Sequence, residues 1–145
     1  MDIPVWLPTA ILFAGIGQLA IVIGSLAIPR VLRWSDDVAK LRPLTRQVFW
    51  TYAGYIWATN LCFGLISTLA PEWLIDGSPL AAAVSGFIAL YWGARVVIQF
   101  NYFDRSDAPA GFIFRVAEFV LISLFVFFTA TYGCAATVNI LGHSL

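Results

Sequence analysis

Two ionisable side chains, Arg95 and Glu118, lie in apolar stretches on either side of a short polar turn. Arg95 precedes Ser106 in that turn by eleven residues, and Glu118 follows it by twelve. In two antiparallel helices joined at this turn, both side chains would lie roughly 10 Å inside the helix ends, at 1.5 Å of rise per residue. An isolated charge at that depth in a bilayer costs about 2–3 kcal/mol. We therefore expect Arg95 and Glu118 to form an ion pair between the two helices.

More polar side chains surround this predicted pair. Gln99 follows Arg95 by one helical turn, and Arg115 precedes Glu118 by three residues on the same helical face. Two interpretations stay open. One is a structural clamp whose arginines extend toward the membrane surface. The other is a site for a lipid headgroup, a substrate or a proton, since a guanidinium can hold a phosphate through two parallel hydrogen bonds. The predicted polar cluster consists of Arg95, Gln99, Tyr102, Asp104, Arg105, Arg115 and Glu118.

Several kinds of chemistry lack the residues that they need. The sequence has one histidine, His143, and one methionine, its first residue, which argues against haem held by two histidines. Cys62 and Cys134 are far apart in apolar stretches, a pattern typical of buried thiols rather than of a metal or redox site. No glycine-rich phosphate loop and no nucleophile motif is present. We therefore predict no metal and no cofactor, and the zero net charge argues against a nucleic-acid partner.

The composition is typical of a membrane protein. Hydrophobic residues make up 61% of the 145 residues and charged residues 11%, whereas soluble domains carry about 25% charged residues. The mean hydropathy is +0.87. At about 20 residues per crossing, four spans and their loops use nearly the whole chain. We predict an all-α, polytopic membrane protein in which residues 1–145 form one domain, a four-helix transmembrane bundle with spans at about residues 5–28, 48–69, 80–100 and 112–139.

The basic residues predict the orientation of these spans. All eight of them lie either between the first two spans, at positions 30–46, or around the turn between the third and fourth, at positions 95–115. Both clusters fall on the same side of a four-span topology. Because cytoplasmic loops of membrane proteins carry the excess of Lys and Arg, we predict that both termini lie outside the cytoplasm. The expected location is a cell membrane crossed several times, by default the bacterial inner membrane.

The first loop and the middle of the first two spans predict local contacts. Ser35, followed by Asp36 and Asp37, is typical of a helix N-terminus, so we expect a short amphipathic helix at about residues 35–42 on the inner leaflet. Gln18 and Asn60 both lie near the midpoint of their spans. Because an amide buried in lipid needs a partner, we predict a hydrogen bond between them that fixes the register of the two helices.

Helical periodicity predicts which faces of the spans meet. Small residues recur on one face of the first span, which includes Gly17, and of the third, which includes Gly86. They predict close approach of another helix, either within the chain or in a homodimer. On the fourth span, the angular positions put Val126 in a sector facing the other helices, together with Glu118, and Phe128 in the sector facing lipid.

No motif assigns an activity or a family to the chain. Few polar groups and small-residue faces favour an accessory or assembly subunit of a membrane complex, or a binder of lipid or another apolar molecule. An enzyme acting on lipid headgroups at the predicted polar cluster is an alternative. A small transporter that uses Glu118 to couple protons is a second alternative. The expected partners are membrane lipids, a second copy of the chain or a larger membrane complex.

Overall fold

The chain folds into helices joined by short connections. The computed structural model describes residues 3–102, 106 and 111–143. The all-helical class predicted from the sequence is confirmed. In chain order, the helices are α1 (Leu7–Ser25), α2 (Ile28–Val31), α3 (Trp34–Val38), α4 (Pro43–Leu69), a 3₁₀ helix (Pro71–Leu74), α5 (Pro79–Asn101) and α6 (Phe112–His143).

Three of the described helical segments are long and apolar enough to cross a membrane. They are Leu7–Val31, Pro79–Asn101 and Phe112–Gly142. Packing within the chain buries only 28%, 22% and 11% of their most apolar parts. Soluble proteins rarely expose contiguous apolar surface of this extent, whereas lipid solvates it. The three segments therefore indicate a membrane protein.

The helix α4 has the length of a span but a more polar composition. It contains 27 residues, yet it is not among the segments that qualify by hydropathy. Its first half carries Trp50, Tyr52, Tyr55 and Trp57, and Asn60 follows. Tyrosine and tryptophan prefer the boundary between membrane and water, where their rings are apolar and their N–H or O–H groups reach water. Whether α4 crosses the membrane therefore stays a prediction.

Close backbone approach joins the long helices in two pairs, α1 with α4 and α5 with α6. A Cβ atom built on Gly15 of α1 would lie 2.8 Å from the backbone nitrogen of Thr68 in α4. In the second pair, Gly93 faces Thr129 at 3.4 Å by the same construction. The two pairs meet mainly through α1 and α6. The small residues of α5 thus pack against α6 of the same chain, although the sequence left open a contact with a second copy.

Val22 of α1 and Val38 of α3 are buried, but in α4, α5 and α6 the buried side chains all lie in one half of the packed helices. In α4 they begin at Phe63, in α5 they end at Trp92, and in α6 they begin at Phe125. We call the end that includes the start of α1, the 3₁₀ helix and the end of α6 the terminal end. The opposite end, with the first loop and the α5–α6 connection, is the basic end. The terminal half is therefore closely packed, and the basic half is not.

Polar side chains fix the connection at the terminal end. Asn139 of α6, fully buried, donates to the carbonyl of Leu74 at 2.8 Å and accepts the N–H of Gly77 at 3.0 Å. Gly77 has a φ of 79°, which glycine adopts without strain. Ser78 caps α5 by accepting the N–H of Ala81. Hydrogen bonds from Ser78 hold the pKa of the Asp76 carboxyl below its ordinary value. The connection before α5 is thus held by α6 as well as by its own residues.

The first loop differs from its prediction. Its helices are shorter than the predicted helix at residues 35–42, since α3 ends at Val38. Ser35 lies inside α3 and does not cap it; Arg33 precedes the helix with a positive φ of 52°. The predicted acidic first turn is present, and Asp36 accepts from Arg33 in an exposed ion pair at 2.8 Å. Trp34 packs edge-on against Phe49 of α4, with ring centroids 5.1 Å apart, which fixes the loop to α4.

Two expectations about the lipid-facing surfaces were wrong. Phe128, predicted to face lipid, is fully buried, whereas Val126 is 51% exposed. Cys62 and Cys134, expected to be buried, are both exposed. The buried residues of α6 recur at alternating spacings of three and four residues, a pattern that packs one helix against its neighbours. This row is Phe125, Phe128, Tyr132, Ala135 and Asn139, and Thr131 and Ala136 beside it are buried too.

Candidate functional site

One polar side chain from each of the four long helices meets in the terminal half. They are Gln18 of α1, Ser67 of α4, Trp92 of α5 and Tyr132 of α6, and none is more than 2% exposed. We call these four residues the central network. The indole N–H of Trp92 donates to Gln18 Oε1 at 3.2 Å. Gln18 Nε2 donates to the Tyr132 hydroxyl at 2.5 Å, and the same hydroxyl lies 2.5 Å from Ser67 Oγ.

The central network satisfies its members almost completely. Gln18 has two amide hydrogens, and its second bond goes to the carbonyl of Ala14 at 3.2 Å. Because the Tyr132 oxygen accepts from Gln18, its own hydrogen can go to Ser67. A buried polar network with every donor used specifies one arrangement of the helices, because each member left alone would be costly. Its role is therefore structural: it locks the four helices in register.

The predicted pairing of Gln18 with Asn60 was wrong. Both donors of Gln18 are used elsewhere, and Asn60 Oδ1 is buried with no hydrogen-bond partner among the described residues. The cause is the register between α1 and α4. Gly64 packs against Leu19, so Ser67, one turn further toward the terminal end, is level with Gln18. Asn60 lies on the basic side of that level, beside the Tyr91 hydroxyl.

Toward the basic end, the core-facing positions of α5 and α6 become polar. In α5 the spacing that gives Ser85, Ile88 and Trp92 continues to Arg95 and Gln99. In α6 the spacing that gives Tyr132 and Phe125 leads back to Glu118. These positions face the interior, yet Arg95 is exposed, and Gln99 and Glu118 are only half-buried. The interior of the basic half is therefore open and lined by polar groups.

The structure brings two of the predicted cluster residues, Gln99 and Glu118, together across α5 and α6. Gln99 Nε2 donates to Glu118 Oε1 at 3.2 Å. The Arg95 guanidinium carbon lies over the ring of Phe125, 5.9 Å from its centroid. That distance is within the range of a cation–π contact. Arg95 thus sits at the boundary between the packed core and the open half. The ion pair between Arg95 and Glu118 stays a prediction.

The other predicted cluster residues lie nearer the basic end. Arg115 and Tyr102 are exposed, Tyr102 to 80%. The side chain of Arg115 makes no ion pair with any described residue. Asp104 and Arg105 lie outside the described residues. We call Arg95, Gln99, Arg115 and Glu118 the basic-half cluster.

Aromatic rings connect α4 with α5 where the terminal half meets the basic half. Phe63 of α4 contacts Phe87 and Tyr91 of α5 edge-on, with ring centroids 5.9 and 5.3 Å apart. These rings, rather than close backbone packing, connect α4 with α5. Trp57 of α4 donates to the carbonyl of Val22 in α1 at 3.2 Å. Beyond these contacts α4 exposes the apolar side chains of its first half.

The basic-half cluster contains groups of the kind that bind anions. The basic-half cluster combines two guanidinium groups with one carboxylate and one amide. No described group of three or more His, Cys, Asp or Glu side chains could hold a metal ion. Glu118, the one carboxylate of the cluster, already accepts a hydrogen bond from Gln99. Guanidinium groups with no nucleophile beside them hold and orient a ligand rather than transform it.

Sequence reasoning missed Ser67, Trp92 and Tyr132 as partners of Gln18. The spacing of Phe125, Tyr132 and Asn139 at intervals of seven was a usable signal for the buried face of α6. The partners of Gln18 depend on how far α1 slides along α4, which no local pattern reports. No protein family, no curated protein and no solved structure matches the chain.

Proposed function

We propose that the chain is a multi-pass membrane protein that binds an apolar membrane component without transforming it. In this proposal residues 1–145 form one domain, a four-helix transmembrane bundle with both termini outside. The bound component is a lipid, another apolar molecule or a helix of a larger complex that the chain helps to assemble. The proposed location is a cell membrane, by default the bacterial inner membrane.

One observation carries the proposal: the contrast between the two halves of the packed helices. The terminal half is sealed by the central network and by Asn139, which binds the connection before α5. In the basic half, positions 43–62 of α4, 93–101 of α5 and 112–124 of α6 contain no fully buried residue, and the structure describes all of them. An open half beside a rigid half is the arrangement expected of a binding site on a fixed scaffold.

The packing supports a fourth span and one orientation. The helices α1 and α4 run antiparallel in close contact, since Gly15 meets Thr68 and Leu19 meets Gly64. Because α1 is a candidate membrane span, a helix packed along it over this length lies at the same depth in the bilayer. All basic residues of the sequence then belong to the first loop, the α5–α6 connection and the adjoining helix segments, and this bias favours a cytoplasmic basic end.

Two alternatives receive less support from the described residues. A transported solute would need a path through the centre, where Trp92 stacks on Phe125 with ring centroids 5.1 Å apart and Tyr132 is fully buried. An enzyme would need a nucleophile, an activated base or a metal near its substrate. The basic-half cluster offers arginines, an amide and a hydrogen-bonded carboxylate.

Native mass spectrometry of gently extracted protein tests the proposal. We expect a retained apolar adduct, or a partner subunit, on the wild-type chain. The Ala53→Trp variant places a large ring in the open half, because Ala53 shares its helical face with Ser67. It should lose the adduct. Ala83→Trp adds the same ring to an exposed site of α5 in the terminal half and should keep it. A bare wild-type monomer, or equal retention by both variants, would contradict the proposal.

A further inference from the structure

We infer that a cleft at the terminal end binds a hydrophobic organic cation, of the quaternary ammonium or phosphonium class. The cleft has a volume of about 610 Å³ and lies between the residues that lead into α1 and the 3₁₀ helix. Pockets of about 300–1,000 Å³ are typical of small-molecule sites. The cleft is at the opposite end from the open basic half, so the inference goes beyond the proposed function and does not depend on it.

The lining of the cleft combines apolar side chains with two carboxylates. Val5 and Pro8 contribute from the chain at the start of α1, and Trp73 contributes from the 3₁₀ helix. Glu72 and Asp76 are the charged residues of the lining, and both are exposed. The sequence has no Lys or Arg at positions 3–8 or 71–78, which form the cleft. An apolar body therefore gains burial here, and a positive charge is attracted where a negative one is repelled.

Two residues of the cleft also line a neighbouring cavity. This second cavity, of about 320 Å³, extends toward α5 and shares Trp73 and Asp76 with the cleft. Trp73 is 65% exposed although its ring is large and apolar. An indole face attracts a cation more strongly than the ring of Tyr or Phe does. An aromatic face and a carboxylate that line the same apolar cavities are the combination that a hydrophobic cation needs.

The backbone that carries these two side chains is fixed. Leu74 and Ile75, which lie between them in the sequence, are buried, and the carbonyl of Leu74 accepts from Asn139. Asp76 Oδ1 accepts the N–H of Ser78 at 2.8 Å. Hydrogen bonds from the Ser78 side chain and backbone hold the pKa of this carboxyl below its ordinary value, so it is ionised at neutral pH. A site that is ordered before binding loses less conformational entropy when its ligand binds.

Equilibrium dialysis of the purified chain in neutral detergent tests the inference, with binding to protein-free micelles subtracted. The probes are tetraphenylphosphonium and tetraphenylborate, which have the same shape and opposite charge. We expect one tetraphenylphosphonium per chain, half-occupied at about one-tenth of the tetraphenylborate concentration or less. Trp73→Leu removes the aromatic face and Asp76→Asn removes the charge, and each should raise the tetraphenylphosphonium concentration needed about fivefold. Asp76→Asn keeps an oxygen that can accept from Ser78.

Two control variants show whether the cleft itself is the site. Trp6→Leu removes a ring of the same end that is 56% exposed and lines neither the cleft nor the second cavity. Asp36→Asn removes an exposed carboxylate of the basic end. Both should bind tetraphenylphosphonium as the wild type does. A cation that only accumulates at the membrane surface would respond to Trp6→Leu as much as to Trp73→Leu.

The inference is wrong if the wild type binds the two probes equally or without saturation. It is also wrong if either Trp73→Leu or Asp76→Asn binds tetraphenylphosphonium as Trp6→Leu does. Where one of these variants does not fold, Glu72→Gln, at the second exposed carboxylate of the cleft, takes its place with the same expected loss. The proposed function has its own test in the adduct that Ala53→Trp should lose, so the two can fail separately.

Discussion

The central network makes one residue, Tyr132, responsible for contacts to two other helices. Its hydroxyl accepts from Gln18 of α1 and bonds to Ser67 of α4. Tyr132→Phe removes only that oxygen and keeps the ring in the core. The amide hydrogen of Gln18 and the hydroxyl of Ser67 then lose their partner in a site that water does not reach. We expect Tyr132→Phe to loosen the contact between α6 and the α1–α4 pair.

The magnitude follows from the number of bonds lost. Hydrogen bonds between helices in membranes contribute about 0.6 kcal/mol on average and up to about 1.7. Two such bonds give a loss of roughly 1–3 kcal/mol in the free energy of unfolding. For a chain of this size, about 2–4 °C of midpoint temperature corresponds to each kcal/mol. Thermal unfolding in neutral detergent, followed by circular dichroism, should therefore show a decrease of roughly 2–12 °C in the midpoint temperature.

Two comparisons make this prediction specific. Tyr55→Phe removes the same atom from an exposed ring of α4 and should change the free energy of unfolding by about 0.5 kcal/mol or less. Tyr132→Phe and Ser67→Ala remove the same bond, so the double variant should lose less than the two single losses added together. The reasoning about the central network would be refuted if Tyr132→Phe were as stable as Tyr55→Phe. It would also be refuted if the stability losses of Tyr132→Phe and Ser67→Ala were strictly additive in the double variant.

Three further perturbations test other contacts. Gly15→Ala places a Cβ 2.8 Å from the Thr68 nitrogen, so it should separate α1 from α4 and lower the free energy of unfolding by about 1–3 kcal/mol. Gly24→Ala, whose Cβ would meet nothing within 4 Å, should be neutral or stabilising in the same unfolding assay. Asn139→Ala should cost about 1–3 kcal/mol and speed proteolysis of the connection before α5, since two buried bonds are lost. Glu118→Gln should lower the free energy of unfolding by about 1 kcal/mol in the same unfolding assay, because Gln99 then donates to a neutral amide oxygen instead of a carboxylate; a variant more stable than the wild type would contradict this.

The helical class and the apolar segments could be predicted because they follow from composition and local pattern. The predicted third span, residues 80–100, differs from α5 by one residue at each end. Prolines were harder to interpret. The second span was predicted to begin at about residue 48, but α4 begins at Pro43, because proline fits the first turn, where its missing N–H is not needed. Local sequence rules therefore predict the presence of a helix more reliably than they predict its first residue.

The contacts between helices could not be predicted to the same extent. The charged residues Arg115 and Glu118 were used to define the inner face of α6, but they lie in the open half, where burial does not constrain the face. Tyr132 and Asn139 mark the buried face better, since a buried polar group requires a partner. The depth of Gln18 relative to Asn60 depends on the contact between Gly15 and Thr68, which is set by three-dimensional packing alone.

The difference between the two halves is measured most directly by thiol reactivity. In a background where Cys62 and Cys134 are replaced by serine, single cysteines are introduced at Ala53, in the basic half, and at Ala135, in the terminal half. The first position is half-buried and the second fully buried. In delipidated protein in neutral detergent, Ala53→Cys should react with a small water-soluble maleimide at least about tenfold faster than Ala135→Cys, since exposure of the thiol controls its access. Equal rates at the two positions would contradict an open basic half beside a closed terminal half.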